Sequence, residues 1–338
     1  MVYLEAAIKL PKPDNQAYYY LGKGYHLNFK FDDAIAQYQT YLSNLNAEDP
    51  FNVNRQIEMA KNGKQLYDPD YIFFPQAKNK TIASEFYRKY DMRKLKGKVI
   101  PKTENFMTKY EQKRGDRSLM FVSQLSREIY FSGYGEDDSQ GRDIFRVMKL
   151  PNGEWAIPQK VGTVINTPFD EDYPFMHPDG DTLYFSSKGH NTMGGFDIFR
   201  SVLDRKTNTW SKPVNMKYPY NTPDDDIFYA IDYDRENAWF STSSFTEQDK
   251  MTVYKISKKD PKDELAVIHG NFSLGDTAML RAQISITEKE SGELKGIFNS
   301  NRATGKYLLV LPKGQQYTFN VQPEGFVAHT FEMKIPSQ

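Results

Sequence analysis

The sequence of 338 residues contains no cysteine. A disulfide framework and a thiolate metal site are therefore both excluded, and redox chemistry gives no information on the compartment. No apolar run approaches the roughly 20 residues that a membrane-spanning helix needs. No signal peptide is visible, and because Met1 opens within a predicted helix we expect an upstream segment to be missing from this sequence.

Neither sign of charge dominates, since 44 Lys and Arg balance 44 Asp and Glu. This balance gives no overall field that would attract nucleic acid or a membrane surface, so we expect neither as a partner. The charge is nevertheless uneven along the chain. Residues 78–117 hold thirteen bases and five acids, whereas residues 134–239 hold eighteen acids and eleven bases. We expect these two regions to attract each other or to bind different partners.

Familiar catalytic motifs are missing as well. The sequence has no P-loop, no dinucleotide-binding glycine fingerprint, no His-Glu-x-x-His motif and no Gly-x-Ser-x-Gly nucleophile elbow. We therefore predict no catalytic residues, no cofactor and no metal centre, and the sequence favours a non-enzymatic function.

What the sequence does contain is a repeat of about 55 residues. Its clearest copy, residues 170–221, combines a first strand, the turn His177-Pro178-Asp179-Gly180, strands at 182–186 and 197–201, and a closing Trp210-Ser211-Lys212-Pro213. The landmarks that recur at steps of 54 or 55 positions are Tyr130, Tyr184 and Trp239; Phe145, Phe199 and Tyr254; Asp143 and Asp197; Trp155 and Trp210; Asn166 and Asn221. Several short strands per repeat, with one aromatic landmark each, are typical of a β-propeller blade.

The repeat predicts three legible blades in residues 117–258, within a WD40-like propeller region spanning 67–258. Residues 67–116 are less regular. The segments 71–74 and 85–88 lie about one period before their counterparts at 128–131 and 143–146, which favours a degenerate blade, but the intervening basic run is equally typical of a linker or of a loop that becomes ordered on a partner. The propeller is therefore predicted to have three or four blades.

Residues 1–66 predict helices that follow the tetratricopeptide pattern. The predicted packing residues are Tyr18, Leu21, Gly22, Tyr25, Ala34 and Tyr38. The small Gly22 and Ala34 let two helices approach closely, and the aromatic residues fill the space between them. The pattern gives one whole repeat with a fragment on each side. This segment is either a packing appendage of the propeller or a groove that binds a partner.

Three acidic clusters fall in predicted loops or at the beginnings of strands. They are Glu136-Asp137-Asp138, Asp170-Glu171-Asp172 and Asp224-Asp225-Asp226. Their carboxylates could bind Ca²⁺ or a glycan, but the spacing of a calcium loop is absent and a solvated rim is the simpler interpretation. His190 and Asn191, in a glycine-rich loop, complete the candidate binding residues, although a lone histidine in such a loop more often orders the loop through a hydrogen bond.

Residues 266–336 alternate strands and turns. We predict strands at 267–272, 282–288, 296–300, 306–311, 316–321 and 327–335, separated by turns that contain Ser291-Gly292, Thr304-Gly305 and Pro312-Lys313-Gly314. Short strands at this density in some 70 residues predict a small β-sandwich of the immunoglobulin or prealbumin type. The predicted fold class is thus multidomain, with α-helices followed by all-β domains.

These motifs together resemble the PorE-type periplasmic proteins of the type IX secretion and gliding apparatus. The resemblance covers almost the whole chain, and its most specific parts are the runs from Tyr184 to Gly195 and from Asn221 to Asp226. It implies tetratricopeptide repeats, a propeller with Pro-Asp-Gly turns and a carboxypeptidase-regulatory-like sandwich. The family also has an OmpA-like domain that binds peptidoglycan. Nothing similar follows Pro336, so we do not expect contact with peptidoglycan.

The resemblance implies a periplasmic scaffold, associated with the outer membrane, whose partners are proteins of the cell envelope. Direct insertion into the membrane is not expected. The alternative is a glycan- or peptide-binding protein, or a hydrolase, that uses the acids of the propeller face.

Overall fold

The computed structural model describes residues 1–69, 71, 73, 75–115, 118–135, 141–243, 247, 249–257, 265–272, 281–302 and 304–336. Contacts divide the chain into two compact units, residues 1–257 and residues 258–338. None of the described helices is long and apolar enough to cross a membrane. The predicted order of N-terminal helices followed by a β-rich region is confirmed.

The α-helices lie mainly at the N-terminus of the first unit. Their bounds are α1 Val2–Ala7, α2 Asn15–Leu27, α3 Phe31–Ser43, α4 Val53–Leu66 and α5 Lys109–Arg114. The Asp14 side chain caps α2 by accepting a hydrogen bond from the Gln16 backbone N–H at 2.9 Å. Helix α3 packs against both α2 and α4.

The contact between α2 and α3 contains the predicted packing residues. Leu21 is buried. Ala34 and Tyr38 belong to an apolar cluster, and Tyr18 and Tyr25 pack against it. A Cβ atom on Gly22 would lie 2.7 Å from the Tyr38 ring. Glycine is therefore required at position 22 for this close approach.

The described β-strands of the first unit are β1 Ala77–Ile82, β2 Gly97–Pro101, β3 Leu119–Ser123, β4 Glu128–Gly133, β5 Asp143–Met148, β6 Gln159–Lys160, β7 Glu171–Met176, β8 Thr182–Ser187, β9 Asp197–Asp204, β10 Thr209–Trp210, β11 Val214–Asn215, β12 Asp226–Ile231, β13 Asn237–Ser243 and β14 Lys250–Ser257. They form three antiparallel sheets. The first sheet has the order β2-β3-β4-β5-β6, the second contains β7-β8-β9 with β10 and β11 paired to β9, and the third has the order β1-β14-β13-β12.

The three sheets repeat one arrangement of strands and side chains. The landmark aromatics lie in β4, β8 and β13, and each pairs across its sheet with a basic residue: Tyr130 with Arg146, Tyr184 with Arg200, and Trp239 with Lys255. The next residue of each strand stacks on an aromatic ring of the neighbouring strand, in the pairs Phe131–Phe145, Phe185–Phe199 and Phe240–Tyr254, at centroid distances of 5.7, 5.9 and 5.1 Å. The sequence period is therefore also a period of the structure.

Two asparagines join successive sheets in the same way. The Asn166 side-chain oxygen accepts from the Ile144 N–H at 2.9 Å, and its amide donates to the Ile144 carbonyl at 3.1 Å. Asn221 makes the equivalent pair of bonds to Ile198, at 2.7 and 2.9 Å. Both asparagines thus satisfy buried backbone groups of a strand that belongs to the preceding repeat.

Replacing either asparagine with alanine should destabilise the protein, because each side chain accepts from a buried backbone N–H. The Ile144 and Ile198 carbonyls keep the Val161 and Met216 N–H groups as donors, at 3.1 and 3.0 Å. Asn166→Ala and Asn221→Ala each leave a buried N–H unpaired, and we expect each to lower the free energy of unfolding by about 1–3 kcal/mol. Urea denaturation measures the effect, with Asn54→Ala on the exposed side of α4 as a control that should change stability by less than about 0.5 kcal/mol. An effect of either substitution as small as that of Asn54→Ala would show that the asparagine does not join the two sheets.

Residues 75–101 differ from both expectations for this region. Strand β1 pairs with β14 over six residues, and β2 pairs with β3, so these strands complete two existing sheets. Residues 83–89, which include the segment 85–88 assigned to the degenerate blade, form a 3₁₀ helix. The predicted degenerate blade is therefore wrong in the described part of this region. Strands β1 and β2 do not form a sheet of their own because their backbone N–H and C=O groups form hydrogen bonds with the edge strands of existing sheets. Positions 72 and 74 of the other predicted strand lie outside the described residues.

The described strands of the second unit are β15 Leu265–Asn271, β16 Ala282–Glu288, β17 Leu294–Asn299, β18 Lys306–Pro312, β19 Gln316–Pro323 and β20 His329–Lys334. They form two antiparallel sheets, with the strand orders β15-β18 and β17-β16-β19-β20. Each of the six predicted strand segments overlaps one of these strands. Side chains of both sheets, among them Leu309 and Phe319, share one apolar cluster.

Candidate docking cleft between the helices and the second sheet

The glycine-rich loop, residues 188–196, connects β8 to β9 and folds around a buried carboxylate. Asp197 accepts hydrogen bonds from the backbone N–H groups of Met193 at 2.9 Å and Gly194 at 3.0 Å, and from the Asn215 amide at 2.8 Å. Burial raises the pKa of Asp197 to about 7. The loop conformation is therefore determined by its own hydrogen bonds.

This loop also contacts the helices. The Arg55 guanidinium donates to the Lys188 carbonyl at 2.7 Å, and the Asn62 amide donates to the Thr192 carbonyl at 3.0 Å. Both donors lie on α4. Arg55 also lies 4.7 Å from the centroid of the Phe169 ring, which adds a cation–π contact.

A third helix-to-loop hydrogen bond comes from α2 and is fully buried. The His26 Nε2 lies 2.9 Å from the Met193 carbonyl oxygen, so this nitrogen carries the proton and donates. The side chain of Met193 is completely buried. Burial lowers the pKa of His26 to about 4, with smaller opposing contributions from the hydrogen bond, and the ring is neutral at pH 7.

An aromatic cluster adds to the contact between the helices and the second sheet. Phe29 stacks on Tyr67 at 4.6 Å, and Tyr67 meets Tyr218 edge-on at 5.0 Å. The Tyr218 N–H donates to the Leu66 carbonyl at 3.2 Å. Hydrogen bonds and aromatic packing together hold the helices on the second sheet, and residues 1–257 accordingly form one compact unit.

Between α4 and this loop lies a cleft of about 480 Å³. Its lining residues are Glu58, Asn62, Leu66, His190, Asn191, Lys212, Pro213, Val214, Asn215 and Lys217. Glu58 is paired with Arg55 at 2.7 Å. The exposed Lys212, Lys217 and Asn191 and the half-exposed Val214 present cationic, amide and apolar groups to an incoming chain.

His190 lies beside the cleft but is engaged by the fold. Its Nε2 lies 2.9 Å from the Ile165 carbonyl, and its ring packs between Phe185 at 6.0 Å and Phe199 at 5.2 Å. Burial lowers its pKa, so the ring is neutral and donates to this carbonyl. His190 therefore orders the loop, with Asn191 beside it on the open side.

The predicted acidic residues lie away from the cleft, and two of them form repeated caps. Glu171 accepts from the Thr167 N–H at 2.8 Å and hydroxyl at 2.7 Å, and Asp226 accepts from the same two groups of Thr222 at 2.5 and 2.9 Å. Both carboxyls are completely buried. Burial raises the pKa of Glu171 to about 7 and that of Asp226 well above its ordinary range.

The outer members of these clusters are held by basic groups or by backbone. Asp170 pairs with Lys188 at 2.9 Å, and Asp172 pairs with Arg142 at 2.6 Å. One Asp225 carboxylate oxygen accepts from the backbone N–H of residue 196 at 2.8 Å.

Asp224 is half-buried, and its carbonyl accepts from the Gly195 N–H at 3.2 Å. Residues 136–138 lie outside the described residues. Across the described ranges, no three His, Asp or Glu side chains converge in an arrangement that could hold a metal ion.

Comparison with protein-family models, with curated proteins and with solved structures gives no match for this chain.

The structure thus brings two of the predicted site residues, His190 and Asn191, to the cleft and places the acids elsewhere. Sequence reasoning missed Arg55, Asn62 and His26, which form the other side of the contact. These residues are 130 or more positions from their loop partners, and no local pattern connects them. The available signal was the density of glycines in the loop, which indicated a close approach by another chain segment.

The neutral His26 predicts a specific pH dependence of stability. Its pKa is about 4 in the folded protein and 6.5 when unfolded, so between these values the unfolded chain binds more protons. Stability should therefore fall as the pH falls from 6.5 to 4, by about 3 kcal/mol in total from this group. Burial raises the pKa of acids such as Asp197, so these groups increase the stability of the protein as the pH falls, which is opposite to the effect of His26.

The His26 contribution is isolated by comparison with His26→Gln, whose amide can still donate to the Met193 carbonyl. Urea denaturation of both proteins at pH 7, 5.5 and 4.5 should show the wild-type protein losing stability relative to the variant at the lower pH values. A constant difference across this range would show that His26 is not buried in a neutral form.

Proposed function

We propose that this chain is a non-enzymatic scaffold that holds partner proteins in the periplasm, at an outer-membrane assembly of the type IX secretion or gliding kind. In this proposal the N-terminal helices are tetratricopeptide repeats and the three sheets are blades of a propeller-like body. The two sheets of residues 265–334 are the carboxypeptidase-regulatory-like sandwich.

The observation that carries the proposal is the attachment of the helices to the glycine-rich loop. Three hydrogen bonds from His26, Arg55 and Asn62 fix the helices against the second sheet. A rigid body with a cleft at the helix-to-sheet contact can bind a partner segment with little ordering cost. The loop also falls within the stretch that most resembles the PorE-type proteins, which supports a shared role in docking.

The chemistry of the cleft suits an extended polypeptide. The amide side chains of Asn62 and Asn191, on opposite sides, can each donate to and accept from a peptide backbone. Val214, another lining residue, is 54% exposed and offers an apolar contact. The acids that a hydrolase or a glycan binder would use are mostly engaged in caps and ion pairs, which supports binding over turnover.

Site-directed cross-linking tests the proposal, and the absence of native cysteine makes labelling specific. Asn191→Cys, labelled with a benzophenone maleimide, should give a discrete adduct with an envelope protein in an envelope extract, and adding Val214→Glu should abolish it. Lys206→Cys, on an exposed turn outside the cleft, is the matched control and should give no adduct.

Two results would contradict the scaffold. One is the absence of any Asn191-specific adduct. The other is turnover of a glycan or peptide that Asp224→Asn or Asp225→Asn abolishes.

A further inference from the structure

A second exposed surface, separate from the cleft, lies in residues 88–98. This basic stretch contains six bases and one acid, in a chain whose overall net charge is zero. The bases are Arg88, Lys89, Arg93, Lys94, Lys96 and Lys98, and all six are exposed. Charge of one sign is therefore concentrated on a short segment.

The stretch is held in place by the apolar residues between its bases. Tyr90 and Leu95 are buried in the largest apolar cluster. The Tyr90 hydroxyl donates to the Phe228 carbonyl at 2.8 Å, and the Lys96 carbonyl accepts from the Gln124 N–H at 2.8 Å. The backbone under the bases is thus fixed, and the bases form a preorganised surface.

The described acidic residues neutralise the charge of this basic stretch only weakly. Arg88 lies 3.3 Å from Glu85, and Arg93, which is 95% exposed, lies 3.9 Å from Asp91. No ion pair to a described acid is found for Lys89, Lys94, Lys96 or Lys98. Exposed pairs such as these contribute little, so most of the positive field reaches solvent.

We infer that the basic stretch is a docking surface for an acidic segment of a partner protein. The apolar side chains of this stretch point into the core, so it offers nothing to insert among lipid chains, and charge alone anchors a protein to a membrane only weakly. Its aromatic Tyr90 is likewise buried and provides no stacking surface for bases of single-stranded nucleic acid. An Asp- and Glu-rich polypeptide can bind such a surface through charge complementarity alone.

The probe is a fluorescein-labelled poly-L-glutamate of about 20 residues, followed by anisotropy at low salt. The triple variant Lys94→Glu/Lys96→Glu/Lys98→Glu should weaken binding by about tenfold or more, and the triple Gln variant by an intermediate factor. A control triple, Lys9→Glu/Lys12→Glu/Lys206→Glu, changes the same charge at other exposed positions and should weaken binding less than about twofold. Circular dichroism checks that each variant is folded.

The inference is overturned if the two Glu triples weaken binding equally, because net charge would then explain the effect. It is also overturned if phosphatidylglycerol vesicles or a single-stranded oligonucleotide bind the wild-type protein more tightly than poly-L-glutamate does. Loss of poly-L-glutamate binding leaves cross-linking at Asn191 unaffected, so this test is independent of the proposed cleft.

Discussion

Gly194→Ala is expected to lower the free energy of unfolding by about 3 kcal/mol or more. A Cβ atom at this position would lie 2.5 Å from the Asp224 carbonyl oxygen and closer still to that of Thr222. Both obstacles are backbone atoms, so no side chain can rotate away to make room. The substitution therefore forces the glycine-rich loop away from the third sheet, and we expect it to weaken the attachment of the helices as well.

Thermal and urea denaturation measure this effect, and Gly135→Ala is the matched control. A Cβ atom on Gly135 would meet no heavy atom within 4 Å, so this variant should remain within about 0.5 kcal/mol of the wild-type protein. Equal stability of the two variants would show that the loop does not pack against residues 222–224.

Tyr90→Ala is expected to cost about 3–5 kcal/mol, because Tyr90 is the buried anchor of the segment between β1 and β2. Its ring lies 5.1 Å from Phe228, and its hydroxyl donates to the Phe228 carbonyl while accepting from the Ser241 hydroxyl at 2.8 Å. Removing the side chain leaves a cavity beside the third sheet and an unpaired carbonyl.

Tyr90→Phe separates these two contributions. It keeps the ring, removes only the hydrogen bonds, and should cost about 1–3 kcal/mol. Hydrogen exchange at the amides of β12 and β13 should become faster in both variants and more so in Tyr90→Ala. A Tyr90→Phe variant as unstable as Tyr90→Ala would contradict the importance of ring packing.

The repeat could be predicted because it depends on local sequence patterns. Alternating aromatic and small residues predict strands, and the recurrence of Tyr130 at Tyr184 and Trp239 predicts equivalent strands. The structure confirms that these three residues occupy one register. The six strands of the second unit were predicted for the same reason, since turn residues with glycine separate them.

The partners of β1 and β2 could not be predicted, because strand pairing is not a local property. Ala77 pairs with Lys255, at a separation of 178 residues, and nothing in the sequence of β1 identifies that partner. Residues 85–88 were expected to belong to a degenerate blade because Glu85-Phe86-Tyr87-Arg88 resembles Asp143-Ile144-Phe145-Arg146. They lie in a 3₁₀ helix instead, and the Phe86 ring packs against Phe228 of the third sheet, at 6.0 Å.

The roles of the acidic residues could not be predicted from the sequence, for a different reason. Glu171 and Asp226 stand in acidic clusters, which typically indicate a solvated rim or a cation site. The structure shows them completely buried, with threonine donors four residues earlier in the chain. The Asn-Thr-Pro spacing before each cluster was visible as a repeat landmark, but its use as a cap required the fold.

The helices and the three sheets of residues 1–257 form one rigid platform, and a distance measurement between two spin labels tests this most directly. Gln39→Cys on α3 and Lys206→Cys after β9 are exposed, and no native cysteine competes for the label. Double electron–electron resonance should give one narrow distance distribution, which broadens when Arg55→Ala and Asn62→Ala are added. A broad distribution in the protein that retains both side chains would contradict the account.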